Sequence, residues 1–106
     1  MKITNNKLFE LSENKVLLEF ANRVNVTPMQ IIGKGKCSYI TDIRHLYCKL
    51  RYEMHGVTYL IISYEISKNL TTVRYGVMRI NRLLLLNDKK TTAMWNKVKD
   101  IAGYYI

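Results

Sequence analysis

The sequence predicts an all-α protein, a single compact bundle of five to six helices that contains a helix-turn-helix. Its 106 residues, 48% of them apolar, have the usual size and composition of one domain with its own core. Apolar side chains recur mostly at intervals of three and four, which is the spacing of a helical face. One proline and five glycines leave little material for the tight turns of a many-stranded sheet. We therefore treat residues 1–106 as one domain.

The first two helices are predicted in the N-terminal third of the chain. Residues 8–24 carry one apolar helical face, although the pattern defines the end of this helix better than its beginning. Its members are Leu11, Val16, Leu17, Phe20, Ala21 and Val24. Thr27 followed by Pro28 is a typical start of a helix, and Gly33 a typical end. These residues predict a short second helix over residues 28–32.

A basic loop and a long third helix follow. Residues 33–39, GKGKCSY, have no periodicity and contain two glycines and two lysines, which indicates a flexible loop. Thr41 is the predicted cap of the third helix, and Gly56 is its predicted end. The core-facing positions of this helix are Ile43, Leu46, Tyr47, Leu50 and Met54. A separate stripe along its side consists of Arg44, Cys48 and Arg51.

The C-terminal half predicts three more helices. Thr58 caps a helix that ends at Ile66, with Leu60, Ile61, Ile62 and Ile66 as its apolar residues. After a tight turn at residues 67–69, a longer helix runs over about residues 70–86. Its core positions are Val73, Val77, Ile80 and Leu84. The last helix is predicted from Thr91 or Thr92 to Ile101, with Trp95 and Val98 packed on the bundle and residues 103–106 as a tail.

The charge of the chain indicates an anionic partner. Its formal net charge is +9, from 17 basic and 8 acidic side chains. Residues 1–33 hold four basic and three acidic groups, residues 34–82 nine and three, and residues 83–106 four and two, so the net charges are +1, +6 and +2. The excess lies in the middle segment, where charged and apolar residues alternate as they do in folded chains.

Several classes of protein are disfavoured. No signal peptide is evident, and the longest apolar run, residues 83–86, is far too short to span a bilayer, so we expect a cytoplasmic protein with no membrane contact. Cys37 and Cys48 lack the usual metal-ligand spacing, even with His45 and His55 nearby, so we expect reduced thiols, no metal and no cofactor. No defensible catalytic arrangement is present, and we expect no enzyme activity.

The fourth and fifth helices and their three-residue turn have the helix-turn-helix pattern of many DNA-binding proteins. The outward face of the fifth helix is polar and basic, with Thr71, Tyr75, Met78, Arg79 and Arg82 on it and Thr72 and Arg74 on its flanks. A helix N-terminus carries a partial positive charge that suits a phosphate, and short threonines can meet base edges or a thymine methyl group. Each threonine alone is equally consistent with a solvated first turn.

A resemblance to a known family extends over most of the chain. Residues 62–80, ISYEISKNLTTVRYGVMRI, resemble the signature of the C-terminal, origin-binding domain of the bacterial replication initiator DnaA, whose centre is Asp-His-Thr-Thr-Val. The stretches FANRVNVTPMQIIGKGK and DIRHLYCKL align with that family's first helix, basic loop and arginine-bearing helix. The resemblance covers about residues 16–101, and it implies a Trp-repressor-like helix-turn-helix fold.

The resemblance implies roles for individual residues. It implies Lys34, Lys36 and Lys68 on phosphates, Arg44 in the minor groove, and a base-reading set of Asn69, Leu70, Thr71 and Thr72. Arg74 and Arg79 are predicted phosphate contacts from the helix face alone, where a purely solubilising role is an equal alternative.

The sequence also departs from the family. Leu70 replaces the family's base-contacting histidine, Asn69 its aspartate and Ser63 the glycine of its Ile-Gly pair, Gly35 occupies a basic-loop position, and one residue is missing before Lys68. A leucine cannot donate a hydrogen bond, so we expect a site other than the family's usual box. Leu70 also lies only about 60° from Val73 on the helix, which leaves an inward orientation open.

The predicted function is sequence-preferring binding of double-stranded DNA by a stand-alone, nucleoid-associated module that regulates replication initiation or transcription. No Gly-x-x-x-x-Gly-Lys-Ser/Thr stretch is present, so we expect no ATPase activity. One alternative is a protein-interaction module that has kept the fold and lost base readout, with Ile61, Leu70 and Met78 in an apolar patch. Another is binding of single-stranded nucleic acid, since eight tyrosines offer stacking surfaces.

Overall fold

The computed structural model describes residues 14–103, and within that range the chain is all-helical, as predicted. Its elements are α1 (Lys15–Arg23), α2 (Pro28–Ile32), α3 (Ser38–Lys49), a π-helical turn (Leu50–Met54) that continues α3, α4 (Tyr59–Ile66), α5 (Leu70–Leu85) and α6 (Lys89–Val98). The predicted start of the first helix, with Leu11, lies outside the described residues. No helix in the described range is long and apolar enough to cross a membrane.

Two of the predicted helix caps are confirmed. The Thr27 hydroxyl accepts a hydrogen bond from the Gln30 amide at 3.1 Å, while the Gln30 side chain accepts one from the Thr27 amide at 2.8 Å. This reciprocal capping box supplies partners for two amides that a helix start leaves unpaired. Thr58 caps α4 with a single bond, in which its hydroxyl accepts from the Ile61 amide at 3.3 Å.

The predicted cap at Thr41 and the predicted start of the last helix at Thr91 or Thr92 are wrong. Helix α3 begins at Ser38, and Thr41 lies inside its first turn, where its amide donates to the Cys37 carbonyl at 3.0 Å. Helix α6 begins at Lys89, because the Asp88 carboxylate accepts from the Thr91 amide at 3.0 Å and from the Thr91 hydroxyl at 2.6 Å. A carboxylate at a helix start is also favoured by the helix dipole, so it competes well with a threonine a few residues later.

Helix α3 is the centre of the bundle and packs most extensively against α5. Its predicted core face is buried from Ile43 to Leu50. The predicted side stripe is buried as well, because other elements cover that side of α3; Arg44, Cys48 and Arg51 are at most 6% exposed. Met54 was predicted to be core and is 54% exposed. The wider π-helical turn changes the direction of the last side chains relative to the α-helical register.

The predicted helix-turn-helix is formed by α4, the turn at residues 67–69 and α5. Ser67 has a left-handed backbone conformation with a φ of 57°, and the Lys68 amide donates to the Ser63 carbonyl at 3.0 Å. This geometry ends α4, and α5 begins three residues later. Helix α5 buries Val73, Val77 and Ile80, and its predicted fourth core residue, Leu84, is partly buried. The opposite face of α5 is therefore left at the surface.

Candidate nucleic-acid interface

The first turn of α5 has four residues with different exposures. Asn69 is the helix cap, and its side-chain oxygen accepts a hydrogen bond from the Thr72 amide at 2.8 Å. This bond holds the Asn69 side chain against its own helix. Thr71 is exposed, whereas Thr72 is half-buried. Of the predicted base-reading residues, Thr71 and Leu70 are thus the ones that project most freely from this turn.

Leu70 points outward rather than into the core. Its side chain is 48% exposed, although its position on the helix lies near that of the buried Val73. An apolar side chain at the start of a polar helix face gains nothing from contact with water, and it matches the apolar contacts that proteins make with a thymine methyl group. The position where the resemblance places a histidine is therefore available at the surface.

The basic loop between α2 and α3 is held by the guanidinium group of Arg44. Its Nε donates to the Ile31 carbonyl at 2.6 Å, and its Nη1 to the Gly35 carbonyl at 3.0 Å. Its Nη2 donates to the carbonyls of Gln30 and Gly33, at 3.1 and 2.8 Å. Three of these bonds satisfy carbonyls that the end of α2 leaves without helical partners, and the bond to Gly35 ties the loop itself to Arg44. Burial lowers the pKa of Arg44, but a guanidinium group stays charged in proteins.

This arrangement differs from the predicted role of Arg44. The resemblance implies that Arg44 enters the minor groove, but its side chain is buried and its donors are directed at main-chain carbonyls. A side chain cannot keep these bonds and extend into a groove at the same time. Arg44 therefore shapes the basic loop in this structure, and the side chains left exposed on the loop are those of Lys34 and Lys36.

Lys68 connects this loop to the helix-turn-helix. Its ammonium group donates to the carbonyls of Ile32 and Gly33, at 2.8 and 2.7 Å. Because Lys68 lies in the turn just before α5, these bonds bring the end of α2 and the start of the basic loop beside the first turn of α5. Two cations, Lys68 and Arg44, thus stabilise the negative end of the same short helix. Lys68 was predicted as a phosphate contact, and in the structure it links the end of α2 to the turn before α5.

The arginines of α5 are of two kinds. Arg74 and Arg82 are exposed. Arg79 is half-buried, and its Nη1 contacts the Asp42 carboxylate at 2.7 Å and Nδ1 of His45 at 3.2 Å. Burial first, and then the positive charge of Arg79, lower the pKa of His45 to about 4. Arg79 therefore fastens α5 to α3, and Arg74 remains as the exposed predicted phosphate contact on the first half of α5.

Sequence reasoning missed two clusters near this surface. Tyr52 and Tyr59 stack with their ring centroids 4.1 Å apart and their planes at 19°. Arg51, also in the π-helical turn, binds both carboxylate oxygens of Glu65 on α4, at 3.0 and 2.7 Å. No periodic pattern marks either cluster, because each joins the π-helical turn to α4 across the reversal at Gly56, where φ is 68°.

The two cysteines differ in exposure: Cys48 is buried and Cys37 is exposed. Burial raises the pKa of the Cys48 thiol to about 12, so Cys48 is not a reactive thiolate near neutral pH. Cys37 is exposed at the start of α3. Among residues 14–103, no group of three or more histidine, cysteine, aspartate or glutamate side chains is arranged to hold a metal ion.

Helix α4 has an exposed apolar surface of its own. Leu60, Ile61 and Tyr64 are 53%, 50% and 74% exposed, and at 100° per residue they fall within one third of the helix circumference. The predicted protein-contact residues Leu70 and Met78 on α5 are also about half exposed. An apolar surface of this kind is typical of a contact site for another protein.

No protein-family model matches the chain, no curated protein is significantly similar to it, and no solved structure matches it. The functional assignment therefore depends on the residues and the geometry described above.

Proposed function

We propose that the protein binds double-stranded DNA through its helix-turn-helix, with the first turn of α5 in the major groove and the basic loop on the phosphate backbone. The observation that carries this proposal is the pair of bonds from Lys68 to the carbonyls of Ile32 and Gly33, which places the loop beside that turn. A surface with basic side chains next to an exposed helix start combines the two parts that duplex recognition needs, phosphate contacts and base contacts.

Within this proposal, Lys34 and Lys36 neutralise phosphates, and Leu70 and Thr71 meet the bases. Thr72 is half-buried and makes only peripheral contacts with the bases. Asn69 stabilises the first turn of α5 through its bond to the Thr72 amide. Leu70 is suited to a thymine methyl group, so the preferred site differs from one read by a histidine at this position. We keep the resemblance to the DnaA C-terminal domain as a proposal, and with it a role in replication initiation or transcription without catalysis.

The test is a titration of a labelled duplex at several salt concentrations. Counterion release requires the logarithm of the binding constant to fall linearly with the logarithm of the salt concentration, with a slope of about 0.9 for each phosphate neutralised. The double variant Lys34→Ala/Lys36→Ala should reduce this slope by about 2. The matched control, Lys97→Ala/Lys99→Ala, removes the same charge from exposed positions at the end of α6 and should leave the slope unchanged.

Base readout is tested separately. Selection of bound duplexes from a random pool should give a preferred site, and Thr71→Ala should reduce discrimination between that site and its variants by about 1–3 kcal/mol per lost contact. The control is Thr92→Ala on α6. Absence of salt-dependent duplex binding by the unaltered protein would contradict the proposed function.

A second candidate function is favoured by the exposed apolar surface of α4. In this case the protein is an interaction module, and Leu60, Ile61 and Tyr64 contact another protein. Ile61→Ser separates the two functions, because it removes apolar contact area from a helix whose exposed face is not needed for reading bases. A DNA-binding protein should keep its duplex affinity in this variant, whereas an interaction module should lose its partner and show no salt-dependent duplex binding.

A further inference from the structure

The stacked tyrosines lie at one flank of α5. Tyr52 belongs to the π-helical turn and is 40% exposed, and Tyr59 is the first residue of α4 and is half-buried. Their near-parallel rings hold each other in place, so the phenol groups stay at the surface with little freedom to rotate. Burial, and then hydrogen bonding to Tyr52, raise the pKa of Tyr59. A phenol hydroxyl group at the surface can donate a hydrogen bond to an anion.

A polar cluster fixes the π-helical turn against α5. The Asn81 side-chain amide donates to the Glu53 carboxylate at 2.6 Å, and the Lys49 ammonium group contacts Glu53 and the Asn81 oxygen, both at 2.5 Å. These bonds pair the Glu53 carboxylate, which would otherwise repel an anion near Tyr52. They also identify the flank of α5 that faces the turn, because Asn81 lies on it.

Arg74 lies on this same flank. It precedes Asn81 by seven residues, or about two helical turns, so the two side chains leave α5 in nearly the same direction. Arg74 is exposed, and its positive charge counteracts the rise in the pKa of Tyr59, which agrees with a position near the tyrosines. The opposite flank of α5 meets the first half of α3, through Arg79 on Asp42 and through Gly76 beside His45. The basic loop immediately precedes this half of α3 in the chain.

We propose that Tyr52, Tyr59 and Arg74 form a second phosphate-contact site, on the flank of α5 opposite the basic loop. The proposal rests on the proposed duplex binding and extends it. A phosphate oxygen accepts hydrogen bonds from a guanidinium group and from phenol hydroxyl groups, and arginine and tyrosine are common donors to the backbone of DNA. In helix-turn-helix proteins the first helix crosses the backbone, and Tyr59 begins that helix here. The two sites together hold α5 from both edges of the groove.

The experiment uses the same duplex titration with single substitutions in the full chain. Arg74→Gln should reduce the salt slope by about 0.9, because one phosphate loses its cation. Arg74→Lys should restore the slope, since it keeps the charge. Tyr52→Phe should weaken binding by about three- to tenfold at every salt concentration and leave the slope unchanged, because it removes a neutral hydrogen bond. The control Tyr64→Phe changes an exposed tyrosine elsewhere on α4 and should bind like the unaltered protein.

The position of the contact is tested with duplexes that carry single neutral methylphosphonates. One backbone position should abolish the difference between the unaltered protein and Arg74→Gln, and a position at the other edge of the groove should abolish the difference for Lys34→Ala. An unchanged slope in Arg74→Gln, or full affinity in Tyr52→Phe, overturns the second site while leaving duplex binding intact. Full affinity of Tyr52→Phe combined with a loss in Tyr52→Ala assigns base stacking to the ring instead. No duplex binding by the unaltered protein overturns the proposed function itself.

Discussion

Gly76 lies where α5 passes closest to α3. A Cβ atom at this position would be 2.7 Å from Cδ2 of His45 and 3.2 Å from its Cα. Alanine normally stabilises a helix relative to glycine, because glycine loses more backbone entropy on folding. Here steric repulsion outweighs that gain, since the neighbouring atoms include main chain that cannot move aside. The contact explains why a glycine is found in the middle of a 16-residue helix.

We predict that Gly76→Ala lowers the free energy of unfolding by about 1–3 kcal/mol. Urea denaturation measured by circular dichroism gives this value. Gly35→Ala is the matched control, because a Cβ atom there has nothing within 4 Å, and its effect should stay within about 0.5 kcal/mol. Equal stability of the two variants would show that α3 and α5 are not in close contact at Gly76.

His45 predicts a dependence of stability on pH. Its pKa is about 4 in the folded protein and about 6.5 in an unfolded chain, so the unfolded state binds more protons between these values. The contribution of His45 to the free energy of unfolding is therefore fully present above about pH 6.5 and is lost as the pH falls toward 4. From pH 7.5 to pH 5 the loss due to His45 should be about 2 kcal/mol.

The measurement is urea unfolding of the unaltered protein and of His45→Gln at both pH values. His45→Gln should reduce the pH-dependent loss by about 2 kcal/mol, whatever its stability at pH 7.5. His55→Gln is the comparison, because burial also lowers the pKa of His55 and gives a dependence of the same sign. An unchanged pH dependence in His45→Gln would mean that His45 is not buried as a neutral side chain.

At the level of elements, α2 is a five-residue helix that depends on the contacts at its ends. Isolated helices of this length do not form in water. The capping box of Thr27 and Gln30 holds the N-terminus, and Arg44 and Lys68 hold the carbonyls at the C-terminus. The basic loop begins at this C-terminus, so its conformation depends on the hydrogen bonds that Arg44 and Lys68 make to these carbonyls.

We predict that Arg44→Lys lowers the free energy of unfolding by about 1–3 kcal/mol, because a single ammonium group cannot replace a planar guanidinium that bonds four carbonyls. Amide hydrogen exchange should also become faster in residues 33–37. Arg82→Lys is the control, since Arg82 is exposed on α5 and its replacement should change stability by less than about 0.5 kcal/mol. Slow exchange in the loop of Arg44→Lys would contradict the role assigned to Arg44.

At the scale of the whole molecule, one hydrogen-bonded network joins both ends of the described chain. The Tyr47 hydroxyl donates to Glu65 at 2.7 Å and lies 3.4 Å from the Asn14 side-chain amide. Arg51, which binds Glu65, also donates to Nδ1 of His55 at 3.0 Å. Nε2 of His55 then donates to the Ile101 carbonyl at 2.8 Å. Because a carbonyl can only accept, these two bonds assign His55 as the neutral tautomer with its proton on Nε2.

We predict that Glu65→Gln lowers the free energy of unfolding by about 3 kcal/mol, since it leaves the charge of Arg51 buried without its carboxylate. Glu19→Gln breaks an ion pair with Arg23 in which the Glu19 side chain is 49% exposed, and it should cost less than about 1 kcal/mol. Thermal and urea unfolding give both values. A loss in Glu65→Gln no larger than that in Glu19→Gln would show that the network adds little to the stability of the bundle.

The sequence was most informative where a local rule decides the structure. The second, fourth and fifth helices follow the predicted bounds closely, because capping side chains, glycine and apolar period all act within a few residues. Predictions failed where more than one nearby residue can begin a helix, as at Thr41 and Thr91. They also failed where a helix departs from the α-helical register, as at Met54. The sequence pattern did not separate the exposed Leu60 from the buried Ile62, because α4 is apolar around most of its circumference and has no marked polar face.

For the candidate site, too, some features could be predicted from the sequence and others depend on tertiary packing. Composition and short-range periodicity were enough to predict an all-helical domain, its excess of positive charge and the helix-turn-helix. Packing between distant segments is what makes Arg44, Lys68 and Arg79 bond one element to another. The same packing leaves exposed the side chains of Lys34, Lys36, Leu70, Thr71 and Arg74. The physical reason is that a long basic side chain can bond any carbonyl or carboxylate within reach, and which of these lie within reach depends on packing between distant segments.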